Sequence, residues 1–264
     1  MFTLGVYHLS SLMTTGIFSA FFYIRGAVFC SYPSFVFISG AFDLASWCAG
    51  STTNILITVN RCVMMYNTNL NNILFNSKTI YIWILLIELY HLGVLFFVQP
   101  PLFNSLEMTY VVNPHSGYYA DTDGIYHIVW ASVHNCTDFA VSIVAVSTFL
   151  IVYHRKKNRL AEKNAVFDRQ MFLQVLFIHL FQLLTSAFFN SIRFFGSTRF
   201  FNAAANFTYV VSQGITPIIY LTFNQTIKGI LINKVLRRPQ KTQLSQSSPK
   251  SNLFTVRTKT IDLK

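Results

Sequence analysis

Six long apolar stretches constrain this chain more than any single motif does. A helix needs about 20 apolar residues to cross a hydrocarbon core about 30 Å thick, because it rises only ~1.5 Å per residue. Stretches of that length occupy residues 4–24, 34–59, 79–98, 126–152, 170–192 and 200–222. The sequence therefore predicts an all-α, polytopic transmembrane helix bundle with six spans, in which residues 1–222 form the membrane domain.

Basic residues are divided unevenly between the two sets of loops. Of the 20 Lys and Arg residues, 17 follow the second, fourth or sixth apolar stretch. Cytoplasmic loops carry such an excess, so the C-terminus and, with an even number of spans, Met1 are predicted to be cytoplasmic. Charged residues make up only 11% of the chain and the mean hydropathy is +0.45. The net charge of +11 thus indicates membrane orientation rather than nucleic-acid binding.

Two short segments follow the membrane domain. Over residues 223–236, apolar side chains recur at helical spacing while the lysines stay on the polar face, which predicts an amphipathic helix on the membrane surface. Residues 237–264 are rich in Lys, Ser, Thr and Gln and predict a disordered cytoplasmic tail. The longest outer loop, residues 99–125, is either a cap over a cavity or a solvated connector.

Three carboxylates lie within predicted spans, at Asp43, Glu88 and Asp138. A charge at mid-membrane costs ~2.5–3.5 kcal/mol on insertion scales, so each should face protein or water, or be protonated. Asp43 lies about 25 Å along the helix from Asn60, near the outer third of the membrane, and is a candidate ligand-binding residue. Trp47, one turn further in, is a candidate for the cavity floor. Hydrogen bonding between helices and ordinary core packing are the alternatives.

The fourth stretch carries a second group of polar residues. His134 and Asp138 share one helix face, and His127 lies two turns earlier. A metal site would need a third ligand and an aqueous path, so we predict a buried polar pair, structural or cavity-lining, and no metal or cofactor. The sequence also lacks His-Glu-x-x-His, Gly-x-Ser-x-Gly and a paired catalytic carboxylate motif, which argues against an enzyme.

Two features mark the predicted cytoplasmic face. Arg61 stands at the inner end of the second stretch, where a snorkelling cation is the simplest interpretation. Pro217 and Tyr220 stand at the inner end of the last stretch, where proline frees a backbone carbonyl and kinks the helix. An arginine and a Pro-x-x-Tyr break at the bases of two helices are typical of G-protein-coupled receptors.

Further motifs make the resemblance to a receptor more specific. They are GAVFCSYP at 26–33, the series Gly40, Trp47-Cys48 and Asn60-Arg61-Cys62, and NPHSGY at 113–118 with Asp121. On these motifs the chain resembles the nematode serpentine receptors of class T, a chemoreceptor family, over about residues 4–236. The resemblance implies a rhodopsin-like receptor in the plasma or sensory ciliary membrane. The six spans would correspond to helices two to seven, and the family's first helix would be missing.

The resemblance also implies partners and roles for particular residues. A small-molecule ligand from outside would bind near Asp43, Trp47, His134 and Asp138. A heterotrimeric G protein would contact Arg61 and the basic loop 154–169, and Pro217 and Tyr220 would take part in activation. The lipid bilayer is the remaining partner.

The chain departs from the general receptor pattern at several positions. Asn60 and Cys62 flank Arg61 where Asp and Tyr are usual, and Thr216 replaces the Asn of the Asn-Pro-x-x-Tyr motif. The long outer loop has no cysteine, so the usual bridge to the helix that begins near Ser34 cannot form. A chemosensory receptor that signals to a heterotrimeric G protein is the main prediction. A ligand-gated channel and a truncated receptor that does not signal are the alternatives.

Overall fold

The computed structural model describes residues 2–119, 122–123, 125–126, 129–157, 162–196, 198–223 and 229. Side chains are not described at 156–157, 162–168 and 193. The chain divides into a compact unit, Met1–Lys228, and a C-terminal unit, Gly229–Lys264. The predicted surface helix over 223–236 therefore lies almost entirely outside the described residues, and the predicted tail over 237–264 lies wholly outside them.

Helices in the described chain occupy the positions of the apolar stretches. The first helix is continuous and consists of α1 (Phe2–Leu12), a π-helical segment (Met13–Phe18) and α2 (Ser19–Ile24). A 3-10 turn (Phe29–Ser31), α3 (Pro33–Tyr66), α4 (Thr68–Leu74), α5 (Thr79–Phe97), α6 (Val129–Lys157), α7 (Glu162–Phe195) and α8 (Arg199–Phe223) follow. The chain is thus an all-α bundle apart from one small hairpin in its described part.

Local sequence explains several of these boundaries. Gly26 adopts a positive φ of 59° in the turn that ends the first continuous helix. A residue with a side chain would be strained in this backbone conformation. Pro33 occupies the first turn of α3, where its missing N–H costs nothing. The side-chain oxygen of Asn67 accepts hydrogen bonds from the backbone N–H groups of Asn69 (2.9 Å) and Leu70 (3.2 Å), and so caps the start of α4.

Three segments of the described helices are long and apolar enough to cross a membrane. They are Thr79–Phe97, Val129–Arg155 and Arg169–Ile192. A helical membrane bundle is consistent with this finding, whereas the count of six spans stays a prediction. Helix α3, about 50 Å long at ~1.5 Å per residue, falls short in apolar content because it is the inner helix of the bundle. Its polar side chains, such as Asn54 and Thr58, are buried against other helices rather than exposed to lipid.

Five of the described helices form a closed ring, and α3 is one of its members. Helix α3 contacts α1 and α6, α6 contacts α7, α7 contacts α8, and α8 returns to α1. Helix α5 packs on α3 from outside, and its outward side chains, including Leu85 and Leu89, are exposed and apolar. Such a face suits contact with lipid. The inner end of the ring is filled by a cluster of Met65, Phe149 and Met171.

A short hairpin in the outer loop lies against the outer end of α3. Strands β1 (Leu102–Asn104) and β2 (Thr109–Val111) pair antiparallel, with Phe103 opposite Tyr110. Phe103 is fully buried in a cluster with Phe22 and Val36. The loop predicted as a cap or a connector is therefore, in its described part, packed against the bundle.

Glycine at position 40 permits this close approach. A Cβ built on Gly40 would lie 2.0 Å from the carbonyl oxygen of Pro101, far inside van der Waals contact. Any larger residue at this position would have to displace the hairpin or α3. Backbone packing between α3 and the loop thus holds the loop against the bundle.

Candidate functional site

A cavity of about 400 Å³ lies beneath the hairpin, among the outer halves of α3, α6, α7 and α8. Its wall combines aromatic and apolar side chains with amides. The lining side chains on the helices include Asp43, Leu44, Trp47, Ala131, Asn135, Phe189, Asn190, Asn202, Asn206 and Tyr209, and Tyr110 to Asn113 contribute from the hairpin. A concave, largely apolar space with a few polar groups is the usual form of a small-molecule site.

Asp43 lines this cavity and is 7% exposed. Its Oδ1 accepts hydrogen bonds from the Thr14 hydroxyl (2.9 Å) and the Tyr209 hydroxyl (3.0 Å). Within the described part of the chain, no group donates to Oδ2. The carboxylate is thus held in place through one oxygen, and the other is left able to accept a hydrogen bond from a ligand.

Three aromatic rings form a cluster on the cavity wall, and one of them, Tyr209, is bonded to the Asp43 carboxylate. Trp47 meets Tyr209 edge-on at 5.3 Å between ring centroids, and Phe189 lies 6.3 Å from Trp47 and 6.2 Å from Tyr209. The Trp47 indole N–H donates to Asn135 Oδ1 at 2.8 Å. Aromatic faces close to a carboxylate suit an organic cation, because the ring quadrupole and the negative charge attract the same group.

Five amide side chains line the cavity. Asn113, Asn135, Asn190, Asn202 and Asn206 all line it, and each amide offers both donors and an acceptor. No Lys, Arg or His lines the cavity in the described part of the chain. The described wall therefore offers hydrogen bonds of both kinds but no positive charge to hold an anionic ligand.

The hairpin that covers the cavity is tied to two helices by side chains. The buried Tyr110 hydroxyl donates to Ser39 Oγ on α3 at 2.9 Å, and burial raises the pKa of this tyrosine, which keeps it a donor. Glu107 accepts from Asn202 of α8 at 2.7 Å through one oxygen and from Ser116 at 3.1 Å through the other. These bonds fix the position of the cap over the cavity mouth.

His134 and Asp138 lie deeper than the cavity and do not line it. His134 bonds to Ser51 (2.9 Å) and to Tyr90 (2.8 Å) through its two ring nitrogens. Asp138 accepts from Gln182 and from Ser186, both at 2.7 Å. The sequence placed these residues with the ligand site, and the structure places them in a polar network one layer below it.

The remaining carboxylate and histidine candidates lie apart from the cavity. Glu88 on α5 accepts a hydrogen bond from Tyr7 at 2.6 Å and lies 3.4 Å from His91. His127 and Asp121 are outside the described residues. No cluster of three or more His, Cys, Asp or Glu side chains suited to a metal ion occurs among the residues whose positions are described.

At the inner end, Arg61 and Tyr220 line a common cavity of only about 10 Å³. Among described side chains, none forms a hydrogen bond or ion pair with the half-buried Arg61 guanidinium. Pro217 lies inside α8, on an exposed face, and the helix continues past it to Phe223. Most side chains of the basic loop 154–169 are outside the described set. The three predicted activation residues thus share one end of the bundle, and Pro217 does not reach the cavity.

Sequence reasoning missed Thr14 and Tyr209 as partners of Asp43. The three residues are far apart in sequence, and no local pattern distinguishes this Thr or Tyr from others in apolar helices. Asn202 and Glu107 were missed for the same reason. The only signal available was the presence of a buried carboxylate, which requires donors but does not identify them.

Comparisons with known proteins agree with the helical bundle. The family model described as "Serpentine type 7TM GPCR chemoreceptor Srt" matches residues 1–244. Serpentine receptor class T-55 of Caenorhabditis elegans is 22% identical over 255 residues, which cover 93% of this chain and 67% of that protein. No solved structure matches the chain significantly.

Proposed function

Because the chain belongs to the Srt family of serpentine chemoreceptors, we propose that it binds a small molecule from outside and signals to a heterotrimeric G protein. It is a multi-pass, chemoreceptor-like helical membrane protein of a generally non-enzymatic family. The plasma or sensory ciliary membrane is the proposed location. The resemblance of its inner face to G-protein-coupled receptors supports the signalling part of the proposal.

The observation that carries the ligand-binding part is the outer cavity with Asp43 in its wall. The described lining contains this single charged residue, and the ring cluster of Trp47, Phe189 and Tyr209 lines the same cavity. A small organic cation with an apolar body would satisfy Oδ2 of Asp43 and contact the rings. The amides of the cavity wall would bind a polar group elsewhere on such a ligand. We propose this class of ligand for the cavity.

Asp43→Asn tests the ligand class, because it keeps the shape and removes the charge. The receptor would be expressed with promiscuous G proteins and screened against pairs of small amines and alcohols of the same carbon skeleton. An amine that activates the receptor should lose about tenfold or more in potency, the loss expected for a hydrogen bond to a charged group. An active alcohol should change little.

Glu88→Gln is the matched control, since it neutralises a carboxylate in the same bundle that does not line the cavity. It should leave the potency of every agonist unchanged. Equal amine potency for Asp43→Asn and the parent, at equal surface expression, would contradict recognition of ligand charge by Asp43 and leave it a packing residue.

The coupling part of the proposal rests on Arg61, whose guanidinium forms no hydrogen bond or ion pair with a described side chain and lies at the inner end beside Tyr220. Arg61→Ala should strongly reduce G-protein activation while surface expression stays close to the parent, because the charge is needed for the partner rather than for folding. Arg61→Lys keeps the charge and should retain part of the activity. Full signalling by Arg61→Ala at equal expression would remove this residue from the mechanism.

A further inference from the structure

A second cavity, of about 180 Å³, lies in the part of the outer loop that follows the hairpin. It is termed here the loop pocket, and its described lining includes Asn113, His115, Tyr119, Asp123 and Tyr126. Two of these residues, Asn113 and Tyr126, also line the outer cavity that contains Asp43. The loop pocket and the outer cavity therefore adjoin and share part of one wall.

Three aromatic rings belong to the loop pocket. The His115 ring lies edge-on to Tyr119, with 6.1 Å between ring centroids, and edge-on to Tyr126 at 5.5 Å. Tyr119 is 76% exposed, so its ring is accessible from water. An organic cation is attracted to the face of a tyrosine ring, because the electrons of the ring make that face negative. The loop pocket therefore offers aromatic surface of the kind that binds quaternary or protonated amines.

Asp123 supplies negative charge to the loop pocket. Its carboxylate is exposed, and its Oδ1 accepts a hydrogen bond from the Thr122 hydroxyl at 3.4 Å. Among the residues whose positions are described, no Lys or Arg lines the loop pocket. The sequence of the whole outer loop, residues 99–125, contains three of the nine carboxylates of the chain and no Lys or Arg, although the chain carries a net charge of +11. The local potential therefore favours a cation.

Buried hydrogen bonds hold the wall of the loop pocket in place. Asn104 of β1 is fully buried, and its side-chain amide donates to the backbone carbonyls of Pro114 (3.1 Å) and Ser116 (2.8 Å). The backbone N–H of Tyr119 donates to the carbonyl of His115 at 2.9 Å. These bonds fix the backbone that carries the His115 and Tyr119 rings. A ligand would therefore not have to order the pocket when it binds, which lowers the cost of binding.

We propose that the loop pocket is a second binding site for small organic cations, separate from the site at Asp43. A quaternary or protonated amine would lie against the rings of Tyr119 and Tyr126 and beside the carboxylate of Asp123. The affinity should be weak, because an exposed carboxylate is screened by water and salt. The proposal rests on the proposed function only for the class of ligand, and it requires binding in the loop pocket whether or not Asp43 binds a cation.

Protection of a thiol placed in the loop pocket measures this binding without a G protein or an identified agonist. Thr122 lines the pocket and is exposed, so Thr122→Cys is the reporter. The background carries Cys30→Ser and Cys136→Ser, which remove the two exposed native thiols. The full chain in lipid nanodiscs is labelled with neutral methyl methanethiosulfonate, with and without choline, at about 0.15 M salt to screen distant charges. The control probe is the alcohol in which a tert-butyl group replaces the trimethylammonium group of choline.

Choline at about 30 mM should slow labelling at least ~threefold, as expected for a site with a Kd of about 10 mM, whereas the alcohol should change the rate little. Asp123→Asn and Tyr119→Leu should each remove most of this protection, and Tyr119→Phe, which keeps the ring, should retain it. Asp43→Asn should leave the protection intact. The substituted side chains of the loop pocket are exposed, so folding should not be affected.

Glu107→Gln is the matched control, since it neutralises a carboxylate of the same loop that does not line the loop pocket. It should retain the protection. Equal slowing by choline and the alcohol, or equal loss of protection in Glu107→Gln and Asp123→Asn, would overturn the cation site in the loop pocket.

The variant at Asp43 separates this proposal from the proposed function. Loss of protection in Asp43→Asn would place choline in the outer cavity, which overturns the loop pocket as a site and leaves the proposed function standing. Absence of protection in the parent overturns the loop pocket alone. Protection that persists in Asp43→Asn, in a receptor whose amine potency does not depend on Asp43, supports the loop pocket and contradicts only the ligand site proposed for the outer cavity.

Discussion

Between α3, α7 and α8 the outer half of the bundle encloses about 400 Å³, whereas the cavity at the inner end of the same three helices measures about 10 Å³. The outer cavity is lined by several amides, such as Asn135, which accepts from Trp47, and Asn202, which donates to Glu107. The inner end between α3, α6 and α7 is filled by an apolar cluster that includes Met65, Phe149 and Val175. The outer end can therefore admit a ligand in this arrangement, while the inner end would have to open to admit a protein partner.

The two halves also differ in what holds them together. The outer half depends on the hairpin, with Phe103 in an aromatic cluster and Pro101 against Gly40. The inner half depends on close packing along the helices themselves. A substitution that weakens the outer half should therefore have a local effect, whereas one that weakens the inner half should lower the stability of the whole unit. Three substitutions test this difference.

The largest effect is expected from Phe149→Ala in the inner half. Phe149 is 1% exposed, and its removal leaves a cavity between α3, α6 and α7. The free energy of unfolding should fall by about 3–5 kcal/mol, measured by thermal or denaturant unfolding in detergent micelles. Phe207→Ala, at a side chain that is 69% exposed, is the control and should change stability little. Similar losses in the two variants would show that the inner half is not closely packed.

A smaller loss, about 1–3 kcal/mol, is expected from Gly40→Ala, because the added Cβ meets the Pro101 carbonyl oxygen. The loss should appear mainly as faster hydrogen exchange in the hairpin, residues 102–111. Gly214→Ala is the matched control, since a Cβ added at Gly214 would meet no neighbouring group within 4 Å. It should be neutral or stabilise the helix by up to ~1 kcal/mol. Equal effects at the two glycines would contradict the tight contact between α3 and the loop.

The smallest effect is expected from Glu107→Gln at the edge of the cap. The carboxylate accepts from Asn202 and Ser116 through separate oxygens, and the amide can keep one of these bonds but not both. A loss of about 0.5–1.5 kcal/mol should result, confined to the contact between the hairpin and α8. Exchange of the hairpin amides, compared with Gly40→Ala, measures it. A larger effect than that of Gly40→Ala would make this polar contact, rather than backbone packing, the main anchor of the cap.

Part of the candidate site was predictable from individual residues. A carboxylate and a large aromatic at the depth of Asp43 and Trp47 in an apolar helix require a protein environment, and both residues lie on the cavity wall. Positions at helix ends indicate Arg61 and Tyr220, and these two residues share the small inner cavity. Their roles in ligand binding and coupling stay predictions.

Other parts of the site could not be read from the sequence. His134 and Asp138 share a helix face, which the spacing predicts correctly, but spacing does not reveal how deep that face lies relative to a cavity. The role of Gly40 as a contact point for Pro101 depends on a segment about sixty residues further along the chain. Gln182 gave no signal at all, because a single amide in an apolar helix does not indicate its partners.

The sequence by itself determined the membrane class, the positions of the long helices and the receptor family, because apolar length, charge distribution and local motifs are properties of contiguous residues. Only the tertiary structure decided which polar groups meet. Asp43 accepts hydrogen bonds from Thr14 and Tyr209, and Asn54 donates one to Gln182, in each case between different helices. In a bundle only a narrow stripe of each helix faces a given neighbour. Which residues lie on that stripe depends on the rotation of the helix about its own axis, and the packing of all the helices together sets this rotation.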